Sequence, residues 1–227
     1  MIDQELEKFV VESLKEDIQS GDHTSLACIN KSNISNAEII AKNSGLIAGV
    51  ELAKYIFKKV DNKLILKQHF KDGDSVKKGD VILSISGTTL SILKCERLVL
   101  NCMQQMSAIA TKTNNICKKI ANTKTKILDT RKTIPLNRKI QKWAVKIGGG
   151  INHRFSLDDM IMIKDNHIDF CGGIAQAIKT TKKYLIANKL NLDIVVETRN
   201  FDEIKEVINV GGIKRILLDN FDIAQTK

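Results

Sequence analysis

"DIVVETRNFDEIKEVINVGGIKRILLDN", residues 193–220, is the stretch that decides the fold. A short β-branched run (193–197) ends on Glu197. A helical pattern (201–210) follows, then Gly211 and Gly212, and a second apolar run (215–219) ends on Asp219. Apolar runs this short read as strands, and a helix between two of them makes a strand–helix–parallel-strand unit. The alternation extends upstream. "MIMIK" (160–164) reads as a strand before a helix at 173–189, and "KILD" (126–129) as a strand before a helix at 137–147. Strand and helix thus alternate from residue 121 onward, the pattern of a parallel α/β sheet or barrel.

Each of these strands ends on charge. The first runs into Asp129, Arg131 and Lys132, and the second into Lys164, Asp165, Asn166 and His167. The third ends on Glu197 and the fourth on Asp219 and Asn220. In a β/α barrel such ends converge on one rim, which carries the active site. One charged residue closing a strand is ordinary punctuation; cations on two strands and carboxylates on two others point to a shared site.

The N-terminal half is organised differently. Ile2, Leu6, Phe9, Val10, Leu14 and Ile18 form one helical stripe, ended by Ser20, Gly21 and Asp22. "AEIIAK" (37–42) and "GLIAGV" (45–50) read as short strands around a turn. "LILKQHF" (64–70) and "VILSIS" (81–86) read as strands joined by "KDGDSVKKGD". This unit looks like the hairpins of lipoyl and biotin carrier domains, but no lysine sits at a defined hairpin tip, so it reads as scaffold. From Leu90 to Ile120 the pattern is helical, as one helix or two. Two domains are therefore expected. Residues 1–103 form a small N-terminal α/β sandwich ending in a long helix, and residues 104–227 form the α/β barrel domain. Arg97, beside Glu96 in that helix, reads on its own as a surface charge.

Composition narrows the function. The 36 Lys and Arg outnumber 26 Asp and Glu, for a net charge of +10, which suits a polyanionic partner. Most of these cations read as solvated lysines. No nucleic-acid motif appears, so nucleic acid is not an expected partner. No apolar run approaches a membrane span, and the amphipathic, acidic N-terminus is unlike a signal peptide. The five cysteines lack metal-site spacing and include no C-x-x-C; Cys95 and Cys102 read as buried thiols. The cytoplasm is the expected compartment, and no membrane partner is expected.

The cations concentrate in "LDTRKTIPLNRKIQKWAVKIGGGINHR" (128–154), where seven Lys or Arg accompany a single acid, Asp129. Arg131, Lys132, Arg154 and Lys164, with His153, would make a positive cup for carboxylate or phosphate groups. Lys139, Lys142 and Lys146 read as a solvated helix face, Arg138 as either, and Trp143 as a packing residue. The glycines 148–150 would let the backbone approach a ligand, or turn sharply to aim His153 and Arg154. Glu197 and Asp219 could hold Mg²⁺ together with substrate phosphates, or face positive charge developing on a sugar. Together these point to transfer at a phosphorylated sugar. No dinucleotide fingerprint or P-loop is present.

"DTRKT", "GGGINHR", "IKDNHI", "VVE" and "LLDN", in this order, resemble the quinolinate phosphoribosyltransferase family. "EDIQSGDHTS" and "ERLVLNCMQQMSAIAT" resemble its N-terminal segments. The resemblance covers residues from about 10 to 220. It implies condensation of quinolinate with phosphoribosyl pyrophosphate, using Mg²⁺, to nicotinate mononucleotide, pyrophosphate and carbon dioxide in NAD biosynthesis. It implies a homodimer or higher homo-oligomer whose site is shared between subunits. Arg131, His153, Arg154 and Lys164 would grip the quinolinate carboxylates, and Arg97 would reach that site from the neighbouring subunit. Lys132, Glu197 and Asp219 would be catalytic, with Glu197 and Asp219 also holding Mg²⁺, directly or through water. Asn166 and His167 match the motif and would either take a direct part or support the rim.

The family pattern continues past "LLDN" with further strands and phosphate-binding loops. A barrel that is incomplete, with impaired or absent turnover, is the corresponding expectation. A same-fold relative with another substrate, and a non-catalytic binding protein, are the rival readings.

Overall fold

The computed structural model describes residues 3–226; Ile2, the first member of the N-terminal stripe, lies outside the described residues. The chain forms two compact units, one up to His153 and one from Arg154.

The first unit opens with α1 (Gln4–Ile18). Asp3 caps it by accepting from the Leu6 N–H, and Leu6 and Val10 are its buried positions. The Ser20–Asp22 segment ends α1 and starts a further short helix, α2 (His23–Cys28), capped by Asp22. A three-stranded antiparallel sheet follows in the order β1 (Ile34–Ile40), β5 (Val81–Thr88), β3 (Ile65–Gln68). β1 shows the strict exposed/half-buried alternation of a sheet with one covered face.

Two expectations fail in this region. The 45–50 segment is not a partner of β1. Only Gly45 and Leu46 are extended (β2), and they pair with β4 (Ser75–Val76) inside the 64–86 connection. Val50 instead begins α3 (Val50–Val60), whose first N–H groups are capped by Asp72 from 22 positions along the chain, at 2.8 Å from the Val50 N–H. That carboxyl is pushed above the usual range by burial, which outweighs the backbone N–H bonds it accepts.

Helix α4 (Thr89–Lys119) is one continuous helix through residues 103 and 104. Its buried stripe of Ile92, Cys95, Val99, Cys102, Met103, Met106 and Ala110 joins α3 and β5 in a single core. Helix α5 (Arg138–Ile147) packs Ile140 and Ala144 into the same core, with Trp143 half-buried against it. Between α4 and α5 the expected strand at 126–129 is reduced to one parallel bridge, Leu128 to Ile151.

The glycines after α5 serve this packing. A Cβ on Gly148 would lie 2.5 Å from the Ala110 carbonyl of α4, and one on Gly150 would lie 2.7 Å from Val145. Gly149 turns at φ +92°. At Gly148 the backbone thus comes close to α4, and the chain turns at Gly149 before it reaches His153.

The second unit is a parallel-strand α/β domain. Its sheet runs β6 (Ile161–Ile163), β7 (Ile194–Thr198), β8 (Arg215–Leu218), all parallel. Helices α6 (Asp165–Cys171), α7 (Ile174–Ala187) and α8 (Phe201–Val210) connect the strands. The core joins Ile163, Val196 and Ile194 of the sheet to Ile168, Ile178 and Val207 of the helices. Ile194, Val195 and Val196 are buried in succession, as a central parallel strand requires. Helix α6 is an addition to the expected pattern: Asp165, Asn166 and His167 are its first turn rather than a loop. Among the described residues no helix is long and apolar enough to cross a membrane.

Candidate functional site

In the first unit the basic segments meet around a buried ion pair. Asp129 follows the Leu128 bridge, and its side chain is 7% exposed against Lys142 of α5, which is 2% exposed. Lys142 is therefore not on a solvated helix face. The strand-end carboxylate covers it, and its ammonium donates to Asp129 Oδ1 and, at 3.2 Å, to the His153 carbonyl. The same Asp129 oxygen accepts from the His153 backbone N–H at 2.8 Å. Lys139 pairs with Asp3 and Glu5, and these carboxylates hold its ammonium above the usual lysine range. Lys146 is exposed.

Two residues past Asp129 stands Arg131. Its Nε is buried and has no hydrogen-bond partner among the described residues. A buried guanidinium N–H left unpaired is costly, and an incoming oxyanion is its natural acceptor. Lys132 is exposed, with its backbone N–H donating to Thr130 Oγ1 at 3.1 Å. Arg138 Nε donates to Thr133 Oγ1 and so helps hold the loop that follows. Arg97 is exposed on α4. It lines two open grooves of this unit, one toward α1 and Pro135–Asn137, the other toward residues 39–47 and the middle of α4.

In the second unit Lys164, Glu197 and Asp219 gather at the C-terminal edge of the parallel sheet, where ligands of open α/β sheets bind, whereas Arg154 bonds at the opposite end of β6. Ile163 pairs with Val196, so Lys164 stands beside Glu197, their charged atoms 3.9 Å apart. Glu197 is in register with Leu217. Asp219, two residues further along, therefore falls on the same face of the sheet as Glu197. The Asp219 N–H donates to the Thr198 carbonyl, and its carboxylate accepts from the Asn220 amide. Arg154 is buried and donates to the Met160 carbonyl at 3.3 Å.

His167 acts locally. Its Nδ1 accepts from the Lys164 backbone N–H at 3.0 Å, which fixes the end of β6. Arg199 does not stand out in the sequence, yet the structure gives it a clear role. It binds Glu203 of α8 and Asp169 of α6, tying together two helices that leave this edge, and these carboxylates raise its pKa. The four-residue spacing of Arg199 and Glu203 was a visible signal.

No group of three or more His, Cys, Asp or Glu gathers in a metal-binding arrangement among the described residues. Glu197 and Asp219, on one face of this edge, are two carboxylates, the number that would suffice for a Mg²⁺ held mainly by phosphates.

Comparison with known proteins gives these features a common origin. Residues 22–107 match the model of the quinolinate phosphoribosyl transferase N-terminal domain, and residues 109–227 that of its C-terminal domain. The chain is 45% identical over 205 residues to quinolinate phosphoribosyltransferase (decarboxylating) 2b, mitochondrial, of Nicotiana tabacum, covering 88% of this chain and 58% of that one. It is 39% identical over 216 residues to the probable nicotinate-nucleotide pyrophosphorylase (carboxylating) of Bacillus subtilis, covering 95% and 73%. The crystal structure of NadC from Streptococcus pyogenes superposes with a TM-score of 0.90 at 34% identity, covering 97% of this chain and 77% of that one. The fold and the matched residues define a two-domain phosphoribosyltransferase architecture. The chain belongs to the quinolinate phosphoribosyl transferase family. It spans well under two thirds of the length of the tobacco relative.

Proposed function

We propose that this chain transfers the phosphoribosyl group of phosphoribosyl pyrophosphate to quinolinate, with decarboxylation. The products are nicotinate mononucleotide, pyrophosphate and carbon dioxide, made for NAD biosynthesis. The observation that carries the reading is Arg131, a buried guanidinium N–H with no acceptor among the described residues, in a segment rich in cations. A pyridine dicarboxylate supplies that acceptor.

In this reading Arg131, His153, Arg154 and Lys164 hold the two carboxylates of quinolinate, and Lys132 meets the phosphoribosyl group. Their charge offsets the repulsion between a dianionic ring and a polyanionic sugar phosphate. Glu197 and Asp219 face the ribose, where departure of pyrophosphate leaves positive charge on the anomeric carbon. Mg²⁺ supplies charge neutralisation of the pyrophosphate when bound, with Glu197 and Asp219 as its protein ligands. The ring nitrogen, once bonded to the ribose, is cationic and stabilises the electron pair left on the adjacent ring carbon as carbon dioxide leaves; that carbon then takes up a proton.

Arg97 reaches the quinolinate site of a second copy of this chain, so the working form is a homodimer or a larger homo-oligomer. The cytoplasm is the proposed compartment, in keeping with five free cysteines.

The test is carbon dioxide release from carboxyl-labelled quinolinate with phosphoribosyl pyrophosphate and Mg²⁺. Release that disappears in Lys132→Ala is expected. A folded sample that neither binds quinolinate nor releases carbon dioxide overturns the assignment.

A further inference from the structure

Lys142 is among the largest fully buried side chains of the chain, and nothing in α5 itself calls for a charge there, since Ile140 and Ala144 already form the core face. A buried ion pair is a poor source of stability. The cost of desolvating both groups offsets much of their attraction, and apolar residues of similar volume often do as well or better. What apolar residues cannot supply is the set of polar bonds that this pair makes to one residue. Asp129 accepts from the His153 N–H at 2.8 Å, and Lys142 donates to the His153 carbonyl at 3.2 Å. Both polar groups of the His153 backbone are thus gripped by the two members of one ion pair.

The same residues tie two segments together. The Asp129 N–H donates to the Ile151 carbonyl at 3.1 Å, and the Ile151 N–H donates to the Ile127 carbonyl at 2.8 Å. Arg131 lies two residues beyond Asp129 on one segment; His153 lies two beyond Ile151 on the other.

We infer that Lys142 and Asp129 are a positioning pair, which sets the spacing between Arg131 and His153 and so matches it to a rigid dicarboxylate. The inference rests on the function proposed above. Neither residue touches substrate; the pair acts through the backbone it holds. A ligand with two carboxylates on adjacent ring carbons feels that spacing, and a ligand gripped through one carboxylate does not.

The test uses the double variant Lys142→Met with Asp129→Leu in the 227-residue chain. Folding is followed by fluorescence of Trp143, the sole tryptophan. Binding of quinolinate, and of the monocarboxylate nicotinic acid, is measured by calorimetry or competition. The expected result is a retained unfolding midpoint, quinolinate affinity lower by about ten-fold or more, and nicotinic acid affinity changed by less than about three-fold. Quinolinate affinity within about two-fold of the parent overturns the inference, and so does an equal loss for both ligands, which marks a merely structural role. If the double variant does not fold, Lys142→Met with Asp129→Asn is read in the same way: it leaves no unpaired buried charge and removes the bond to the His153 carbonyl. A parent chain that binds no quinolinate overturns the functional reading and this inference with it. A parent that binds, beside a variant that binds equally well, overturns the inference alone.

Discussion

Lys142 in the first unit and Lys164 in the second both lie beside a carboxylate near a strand end, but they are held very differently. Lys142 and Asp129 are nearly sealed from solvent, in direct contact, and bonded to the same backbone residue. Lys164 is 42% exposed and stands 3.9 Å from Glu197. The first arrangement has its charge matched inside the protein, so it can build but has little left for a ligand. The second is loosely matched, and its cation remains available to an anion. The two pairs therefore differ in what they leave over: the charge of Lys142 is taken up by Asp129 and the backbone around it, while that of Lys164 stays open to solvent.

Breaking the sealed pair should have the largest effect. Lys142→Met alone leaves Asp129 buried without a counter-charge, and a loss of about 3–5 kcal/mol is expected. Urea unfolding followed by Trp143 fluorescence measures it; a midpoint unchanged from the parent would show that Asp129 reaches water without difficulty. Next comes Arg131→Ala, which would remove the charge-assisted bond proposed to quinolinate. Affinity should fall by an amount equivalent to about 1.5–3 kcal/mol, with little change in the melt, and titration calorimetry separates the two.

A pH effect of intermediate size is expected from the α4 core. Burial pushes the Cys95 thiol up to about 12 and the Cys102 thiol up to about 11, from an ordinary 9.0. Above pH 9 the unfolded thiols lose their protons while the native ones keep theirs, so stability falls as pH rises from 9 toward 11. In the native chain at pH 8 both should resist a thiol reagent that labels exposed Cys28. Rapid labelling of all five cysteines without denaturant would contradict the packing of α4. The smallest stability effect belongs to the open pair. Glu197→Gln should change unfolding by less than about 1 kcal/mol, because an ion pair this exposed contributes little. A larger loss would mean that Glu197 is structural.

How much was legible follows the same division between local and distant causes. β7 and β8 were legible because Ile194–Val196 and Ile216–Leu218 are short apolar runs closed by charge. The parallel pairing then places Lys164 and Glu197 side by side, as strand ends in such a sheet must be. Helix α3 was not legible in its start, because the carboxylate that caps it, Asp72, comes from a distant loop. The strand expected at 126–129 shrinks to a bridge because only Leu128 finds a partner, at Ile151. The amphipathic pattern of α5 makes Lys142 look solvated, because that pattern carries no sign of what covers the far face. One signal was present: Asp129 is the single acid in a stretch holding seven cations, and a lone carboxylate in such company has a partner to find.

The most direct test of the central claim is calorimetric titration of quinolinate into the folded chain and into Arg131→Ala. Saturable binding to the parent at one site per chain, weakened at least about ten-fold in the variant, is the predicted result. Equal binding by both, or no binding by a parent whose Trp143 fluorescence shows it folded, would contradict the account.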